Sequence, residues 1–453
     1  MNRTIRSIVL IVACTLVPLT AFAGGSGESG ADGTIVVTTT NGPNENDQLE
    51  VDRHRFLVSE FAERRPDVEI DAQDSLFDRQ QFAAQLAADT MEDAFLVDFT
   101  QPAYLIENGY VSEITEYVKE WDKFDDLNES LLRIVSDDAG RIYGIPVGGY
   151  ALGLIYNREL FERAGLDPDS PPRTWEELRR YAAKIAALSD NTAGFAFLST
   201  GGQGGWHFVT LTYSFGGSFL TRSDDEWSAS FVNDATLDAA DLLMRMRWED
   251  NSLTQRQLLN AADTVSLMAS GTLGMAIMAG DELRRIKAQY GGDMTKFGMG
   301  PLPQAGGNAT LAGGAAWMFN PNSSPEVLQA AVEWSIFQTF SNYEQDIKTR
   351  AERGQLVGWP ELPVFSGDAE EERMAIRREY ANAPVEMYEP FYDGMESIEL
   401  RAEPAIETQK LYRDLDTVCQ ALLTDPFTDP ERILRRSEQQ FQRQVLDPLN
   451  RSR

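Results

Sequence analysis

The sequence predicts an α/β protein with two lobes, and three observations carry this prediction. The chain has 453 residues, which is too long for one ordinary hydrophobic core and suits two. Apolar residues make up 42% of the chain and aromatic residues 10%, which supplies those cores and excludes a disordered acidic protein. Short β-rich segments alternate with amphipathic helical segments, which is typical of a largely parallel sheet with helices on its faces.

The first hundred residues show this alternation most clearly. The pattern predicts strands at 34–40, 68–70 and 94–98, and helices at 49–64 and 80–91. Ligands of such sheets collect in the crevice beyond the carboxyl ends of the strands. The loops that follow Thr40, Asp71 and Asp98 are therefore the first candidate ligand loops.

A second α/β stretch follows and contains a clear helix start. The paired glycines Gly148 and Gly149 let the chain bend or approach a ligand closely, and a strand is predicted after them at 151–157. Thr174 and Glu177 form a capping box, the arrangement that satisfies free N–H groups at the start of a helix. That helix is predicted to run to about residue 188.

The charge of the chain excludes several classes of partner. Lys and Arg number 40 against 71 Asp and Glu, which gives a formal net charge of −31. A protein that binds nucleic acid gains its affinity from a basic face, so no nucleic-acid partner is expected. The same excess of acid disfavours docking on anionic lipid. It permits a protein that handles neutral or cationic small molecules.

The N-terminus predicts export. Residues 1–23 have a basic start, an apolar run and an A-x-A end, the pattern of a secretory signal peptide. Residues 24–33 are rich in Gly and Ser and are predicted to form a flexible tether. Cys14 lies in a segment similar to a lipoprotein signal box, so lipidation there is the alternative. We expect an exported protein, periplasmic or extracellular, which is membrane-tethered if Cys14 is lipidated.

Several motifs in the body of the chain, taken in order, carry a resemblance to a known family. They are Tyr143-Gly144-Ile145-Pro146, Leu154 to Phe161, Ala164-Gly165-Leu166, Pro172 to Leu178, Gly271 to Asp281, Phe297 to Pro303 and Leu311 to Gly314. Ser324 as N-cap and Pro325 at the first helical position complete the set. Each motif is weak alone, but their succession resembles the family 1 extracellular solute-binding proteins, the sugar-type substrate-binding proteins of ATP-driven (ABC) importers.

The resemblance implies a two-lobed periplasmic-binding-protein fold with discontinuous lobes joined by hinge crossings. It places the first lobe at 34–145 and 278–314, and the second at 146–277 and 315–453. Pro146 and Gly313-Gly314 fall where the hinge crossings of the family would lie. Closure of such lobes is a hinge motion that a few residues absorb.

The resemblance also implies a function. The chain would capture a mono- or oligosaccharide in the cleft between the lobes and deliver it to the permease subunits of an ABC transporter. A monomer without a cofactor or a bound metal is expected. The alternatives are a binding protein for another polar or cationic organic solute, and one that presents its ligand to a sensor.

Sugar chemistry selects the candidate ligand contacts. An aromatic ring stacks on the apolar face of a pyranose, and carboxylates accept hydrogen bonds from its hydroxyls. Trp206, which follows a Gly-rich segment predicted to be a loop, is the main candidate for stacking; Tyr150 and Tyr388 are further candidates, the latter with core packing as the stronger alternative. Trp317 lies in an apolar run and is predicted to be core.

The polar candidates lie on the predicted ligand loops and glycine turns. Asp98 ends an apolar strand, where a charge is costly unless it faces the crevice or solvent. Asp281 follows the Gly280 turn, with a role as helix N-cap as the alternative. The remaining candidates, which are weaker, are Asn41, Glu45, Gly313 and Gly314. The family often has Trp in the Gly280 turn, and the acids found here instead are compatible with a more polar or cationic ligand.

An enzyme is not expected. The chain has only two histidines, His54 and His207, and neither stands in a metal-binding spacing. Nucleophile elbows, P-loops and dinucleotide-binding fingerprints are missing from the sequence. Glycan cleavage needs only a pair of carboxylates and stays the enzymatic alternative.

Overall fold

A computed structural model describes residues 33–223 and 226–452. The predicted signal peptide, Cys14 and all of the predicted tether except Gly33 lie outside the described residues. Within the described ranges, no helix combines the length and the apolar character that a membrane span requires.

Strands and helices alternate through the first three hundred residues, as the sequence predicts, and helices dominate afterwards. The strands are β1 Ile35–Thr39, β2 Val68–Ala72, β3 Ala94–Asp98, β4 Gly144–Ala151, β5 Gly153–Asn157, β6 Ala193–Ala196, β7 Leu220–Ser223, β8 Glu226–Ala229, β9 Leu273–Met278, β10 Phe297–Pro301, β11 Ala309–Phe319 and β12 Glu399–Arg401. The helices are α1 Gln48–Arg64, α2 Arg79–Ala87, α3 Pro102–Glu107, α4 Thr115–Val118, α5 Glu129–Ile134, α6 Arg158–Arg163, α7 Trp175–Ala186, α8 Gln203–Ser214, α9 Asp234–Met244, α10 Ala261–Ala269, α11 Asp281–Tyr290, α12 Pro325–Phe340, α13 Tyr343–Glu352, α14 Gly367–Glu379, α15 Glu389–Met395, α16 Thr408–Thr424, α17 Pro430–Phe441 and α18 Asp447–Ser452.

The helix caps follow the local sequence signals. The Thr174 hydroxyl accepts a hydrogen bond from the Glu177 N–H at 3.2 Å and begins α7. Ser324 caps α12 with Pro325 at the first helical position. Both N-caps confirm the prediction because a cap depends on neighbours in sequence. The reciprocal half of the predicted capping box does not form, because the Glu177 carboxylate accepts a hydrogen bond from the Arg173 N–H at 3.0 Å instead. The predicted strand 151–157 is interrupted at Leu152, which separates β4 from β5.

The first sheet contains β1, β2, β3, β4, β11 and β12. The parallel strands β1 and β2 pair from Ile35 with Val68 onward, and β3 runs parallel to β1. The long strand β11 pairs antiparallel with both β3 and β4 and parallel with β12. The second sheet has the order β10-β5-β9-β6, and β7 and β8 form a separate hairpin.

Within the described ranges, several segments connect strands of the first sheet with elements that lie on the side of the second sheet. They include Leu152 between β4 and β5, residues 302–308 between β10 and β11, and residues 402–407 between β12 and α16. Pro146 and Gly313-Gly314 are paired inside β4 and β11, so they are not the crossings that the resemblance implied.

The sheets also correct the predicted lobe boundaries. β10 lies in the predicted first-lobe segment 278–314 but pairs with β5 in the second sheet. The end of β11 and the helix α12 lie in the predicted second-lobe segment 315–453, but they belong with the first sheet, where α12 packs on β1. Local pattern cannot reveal this exchange, because partner strands are chosen by tertiary contacts. We call the parts built on the first and second sheets the first lobe and the second lobe.

Apolar clusters hold each lobe together. The second lobe has a large cluster in which Trp175, Phe208 and Leu415 are buried. The outer face of the first sheet packs on α12 through Trp317, Phe319 and Trp334. Trp317 is 5% exposed and its indole N–H donates to the Thr339 hydroxyl at 3.2 Å, which confirms that it is a core residue.

Close packing of α8 on α16 brings two helices of the second lobe together. A Cβ added at Gly205 would overlap the backbone of Tyr412, so glycine is required for this approach. The buried Asp416 carboxylate accepts hydrogen bonds from the N–H groups of Gly202 at 2.6 Å and Gly205 at 3.0 Å. It thereby satisfies free donors at the start of α8, where a negative charge is favoured. The Gly-rich segment is thus a helix start, and the prediction of a loop was wrong.

We expect Asp416→Ala to lower the free energy of unfolding by about 3 kcal/mol, because it leaves two buried N–H groups without charged acceptors. Asp429→Ala is the matched control. Asp429 caps the exposed start of α17 through the Arg432 N–H at 3.1 Å, and its loss should cost about 1 kcal/mol. Urea unfolding measures both variants. Equal effects would contradict the assigned role of Asp416.

Candidate functional site

The candidate site lies where the carboxyl ends of two strands converge on β11. Successive residues of a strand direct their backbone groups to opposite edges. The Phe99 N–H donates to the Gly314 carbonyl at 2.9 Å, and the Glu399 N–H donates to the Asn308 carbonyl at 2.9 Å. Because Asn308 and Gly314 are an even number of residues apart, their carbonyls point to the same edge, so β3 and β12 both lie along that edge of β11. β3 ends opposite Ala315 and β12 ends opposite Leu311. Their last residues therefore point toward the glycine pair Gly313-Gly314 from two sides.

The glycine pair forms a floor without side chains. A Cβ at Gly313 would overlap the ring of Tyr150, which crosses the strand from β4. A Cβ at Gly314, on the opposite face of the sheet, would overlap the Gly148 carbonyl and lie 2.8 Å from the ring of Phe99. Both positions lack positive φ, so the requirement for glycine comes from these neighbouring groups rather than from backbone conformation.

Two aromatic rings meet above this floor. The ring centroids of Tyr150 and Trp206 are 6.0 Å apart, and the rings stand at 80° to each other. Both residues are half-buried. Trp206 projects from α8 and packs against apolar residues of both large clusters. The pair is in edge-to-face contact and forms a corner of two partly exposed rings.

Carboxylates surround the aromatic pair. Asp98 lies opposite Ala315, two residues from Gly313, so its side chain leaves the sheet on the same face as Tyr150. Asp281 is the first residue of α11, and its side chain makes no capping hydrogen bond, which removes the alternative role considered for it. Burial raises the pKa of Tyr150, and the nearby carboxylates of Glu403, Asp281 and Asp98 raise it further.

Glu403, Tyr412 and Tyr213 belong to this group and were missed by the sequence reasoning. Glu403 lies on the crossing 402–407, and the Tyr213 hydroxyl donates to the carbonyl of Ala402 at 3.1 Å. Burial raises the pKa of Glu403, and the nearby carboxylate of Asp98 raises this pKa further. The Tyr412 hydroxyl, which lies beside Glu403, lowers the same pKa. Since Glu403 follows a three-residue strand in an irregular segment, no periodicity marked it.

Basic side chains near these acids are already paired, as Arg401 and Arg285 show; the Arg285 guanidinium lies 2.8 Å from the Glu282 carboxylate. The Arg401 guanidinium lies 2.9 Å from the Glu399 carboxylate and 5.6 Å from the centroid of the Tyr213 ring. Within the described ranges, no group of three or more His, Cys, Asp or Glu side chains is close enough to hold a metal ion.

The other predicted site residues lie elsewhere. Asn41 and Glu45 are exposed at the end of β1, where the Asn41 N–H donates to Ser75 at 2.9 Å. No contact that the structure records among the described residues joins them to the aromatic pair. Tyr388 is fully buried in the apolar cluster that contains Phe391 and Met299, so the prediction of a rim aromatic was wrong. We call Tyr150, Trp206, Asp98, Asp281 and Glu403 the crevice set.

Comparison with known proteins gives the family. The model of the bacterial extracellular solute-binding proteins matches residues 52–337, which is well over half of the chain. The chain belongs to this family. A binding protein of Brucella abortus strain 2308 is 26% identical to this solute-binding protein over 226 residues. That match covers 49% of this chain and 52% of the relative, so the chain spans about half the length of the curated relatives it matches.

Solved structures show the same fold over nearly the whole chain. The sugar-binding protein MalE of Xanthomonas citri superposes with a TM-score of 0.70 at 16% identity, covering 92% of this chain and 98% of the other. An ABC transporter solute-binding protein of Thermotoga lettingae bound with α-D-tagatose gives 0.61 at 21% identity, covering 90% and 99%. These matches confirm the predicted two-lobed fold for this solute-binding protein.

Beside the crevice set, the solute-binding protein contains a buried histidine. His207 is fully buried next to Trp206 at a ring distance of 5.3 Å, and it also contacts Phe197. Its Nε2 has no hydrogen-bond partner among the described residues. Burial lowers the pKa of His207 from 6.5 to about 3. The imidazole is therefore neutral at physiological pH.

This pKa predicts a pH dependence of stability. Between the unfolded pKa of 6.5 and the folded pKa of about 3, the unfolded chain binds a proton that the folded protein does not bind. Stability is therefore lost as the pH falls below 6.5, and this group should cost about 2 kcal/mol between pH 7 and pH 5. Between pH 7 and pH 5, His207→Gln should therefore lose about 2 kcal/mol less stability than the unsubstituted protein. Urea unfolding at both pH values measures this difference. The same pH dependence in both proteins would contradict the burial of a neutral imidazole.

Proposed function

We propose that this chain is the solute-binding component of an ATP-driven importer and captures a polyhydroxylated solute of the carbohydrate type in its crevice. The observation that carries the proposal is the crevice set, which combines stacking surface and carboxylate acceptors where the two lobes meet. The family and the fold support binding. The tagatose held by the Thermotoga lettingae protein supports a ligand of sugar size.

The crevice set suits this chemistry. Tyr150 and Trp206 offer a ring for the apolar C–H face of a sugar. Asp98 and Glu403 accept hydrogen bonds from hydroxyls, and charge makes those bonds stronger. The indole N–H of Trp206 lies beside the Tyr150 hydroxyl, and the Tyr412 hydroxyl lies beside Glu403, so polar groups accompany the rings and the carboxylate at the crevice.

Capture would proceed by closure of the lobes. Tyr150 and Asp98 belong to the first lobe, whereas Trp206 and Asp281 belong to the second, so a solute between them bridges both. The closed form is favoured only by contacts that the solute makes with both lobes. An ion pair between Glu107 of α3 and Arg222 of β7 already joins the two lobes. Docking of the closed form on permease subunits would complete import.

Binding without turnover is part of this proposal. Incubation of the purified protein with a panel of glycans should leave them intact. Cleavage that disappears in Asp98→Asn would support the enzymatic alternative instead.

We expect Trp206→Ala to weaken solute binding by about 1–3 kcal/mol, as the loss of a stacking surface does. The measurement is isothermal titration with the solute that native mass spectrometry finds retained by the purified protein. Trp248→Ala is the matched control, because Trp248 is also half-buried but donates to the Leu422 carbonyl at 2.9 Å near the C-terminal end of α16. Its loss should lower stability and leave affinity unchanged. Unchanged affinity in Trp206→Ala would contradict the proposed site.

A further inference from the structure

We infer that the captured solute carries a positively charged nitrogen, an ammonium or alkylammonium group, which binds in the corner of Tyr150 and Trp206 and faces the carboxylates of Glu403 and Asp98. This inference rests on the proposed function and narrows the class of solute. A hydroxylated amine satisfies both proposals, because its hydroxyls and its nitrogen use different members of the crevice set.

The charge around the crevice is the first reason. Asp98 leaves the first sheet on the same face as Tyr150, and the carboxylates of Asp281 and Glu403 also lie near this tyrosine. Two guanidinium groups near these acids are engaged with other carboxylates: Arg401 lies 2.9 Å from Glu399, and Arg285 lies 2.8 Å from Glu282. Enclosure of a carboxylate is costly unless a positive charge compensates it. Closure of the lobes over these acids therefore favours a solute that brings a cation.

The aromatic corner is the second reason. A ring face attracts a cation, and two rings at a large angle offer it a face and an adjacent wall. The Tyr150 and Trp206 rings meet at 80° with centroids 6.0 Å apart. A neutral sugar needs only one ring to stack on, whereas the combination of a corner with carboxylates suits an alkylammonium group.

A half-buried carboxylate is the third reason. Glu403 lies beside the hydroxyl of Tyr412, which is 3% exposed, and burial disfavours the charged form of this carboxylate. A neighbouring hydroxyl stabilises a carboxylate but does not neutralise its charge, whereas a cation does. A cationic group that reaches Glu403 would supply that compensation.

Matched pairs of probes test the inference. Choline and its neutral carbon isostere 3,3-dimethylbutan-1-ol have the same shape and differ in charge. Glucosamine and glucose form the second pair and differ in one group, which is an ammonium in glucosamine and a hydroxyl in glucose. Thermal shift and isothermal titration should show that the cationic member of at least one pair binds about tenfold or more tightly than its neutral partner, a difference of about 1.4 kcal/mol. Raising the salt concentration should reduce that ratio.

Three variants locate the effect. Glu403→Gln and Asp98→Asn should each reduce the ratio of cationic to neutral affinity by at least about threefold. Glu63→Gln, an exposed position on α1, removes the same charge away from the crevice and should leave the ratio unchanged. Because Asp98 is exposed, its variant keeps the test valid if Glu403→Gln fails to fold.

The outcomes separate the two proposals. Glucose binding as tightly as glucosamine, together with no preference for choline over its isostere, overturns the inference and leaves the proposed function intact. A charge preference that persists in both crevice variants also overturns the inference. If no probe binds and the solute retained by the purified protein is bound equally well by Trp206→Ala, both proposals fail.

Discussion

The structure depends on one constraint: the carboxyl ends of β3 and β12 approach the same edge of β11 over two residues that can carry no side chain. Gly313 admits the ring of Tyr150 on the crevice face, and Gly314 admits the Gly148 carbonyl and the Phe99 ring on the opposite face. With a side chain at Gly313, Tyr150 could not lie across the strand on the face from which Asp98 projects. The positions of Tyr150 and Asp98 therefore follow from the strand register and from the absence of a Cβ at Gly313.

The second lobe meets this floor through a comparable device. Gly205 lets α8 approach α16, and Asp416 fixes the start of α8 with two charged hydrogen bonds. Trp206 and Tyr412 are thereby carried to the crevice by rigid helices. Side chains on packed helices keep a defined orientation, which lowers the entropy that a solute must overcome when it orders its site.

The parts of the molecule that local sequence controls were predictable. The strand Ala94–Asp98 and the caps at Thr174 and Ser324 depend on neighbouring residues, and each is confirmed. Contacts between distant segments were not predictable in this way. The pairing of β10 with β5 reassigned a whole segment to the second lobe, and Glu403 reached the site from an irregular crossing. The glycines before Trp206 suggested a loop because sequence alone cannot distinguish flexibility from close helix packing.

The most direct test is a crystal structure of the protein with its retained solute bound. The account predicts the solute above Gly313-Gly314, in contact with Tyr150 and Trp206 and with a polar or charged group at the Glu403 carboxylate. A solute held instead in the cavity of about 720 Å³ that Phe61, Trp121 and Phe365 line on the first lobe, with the crevice free of solute, would contradict it.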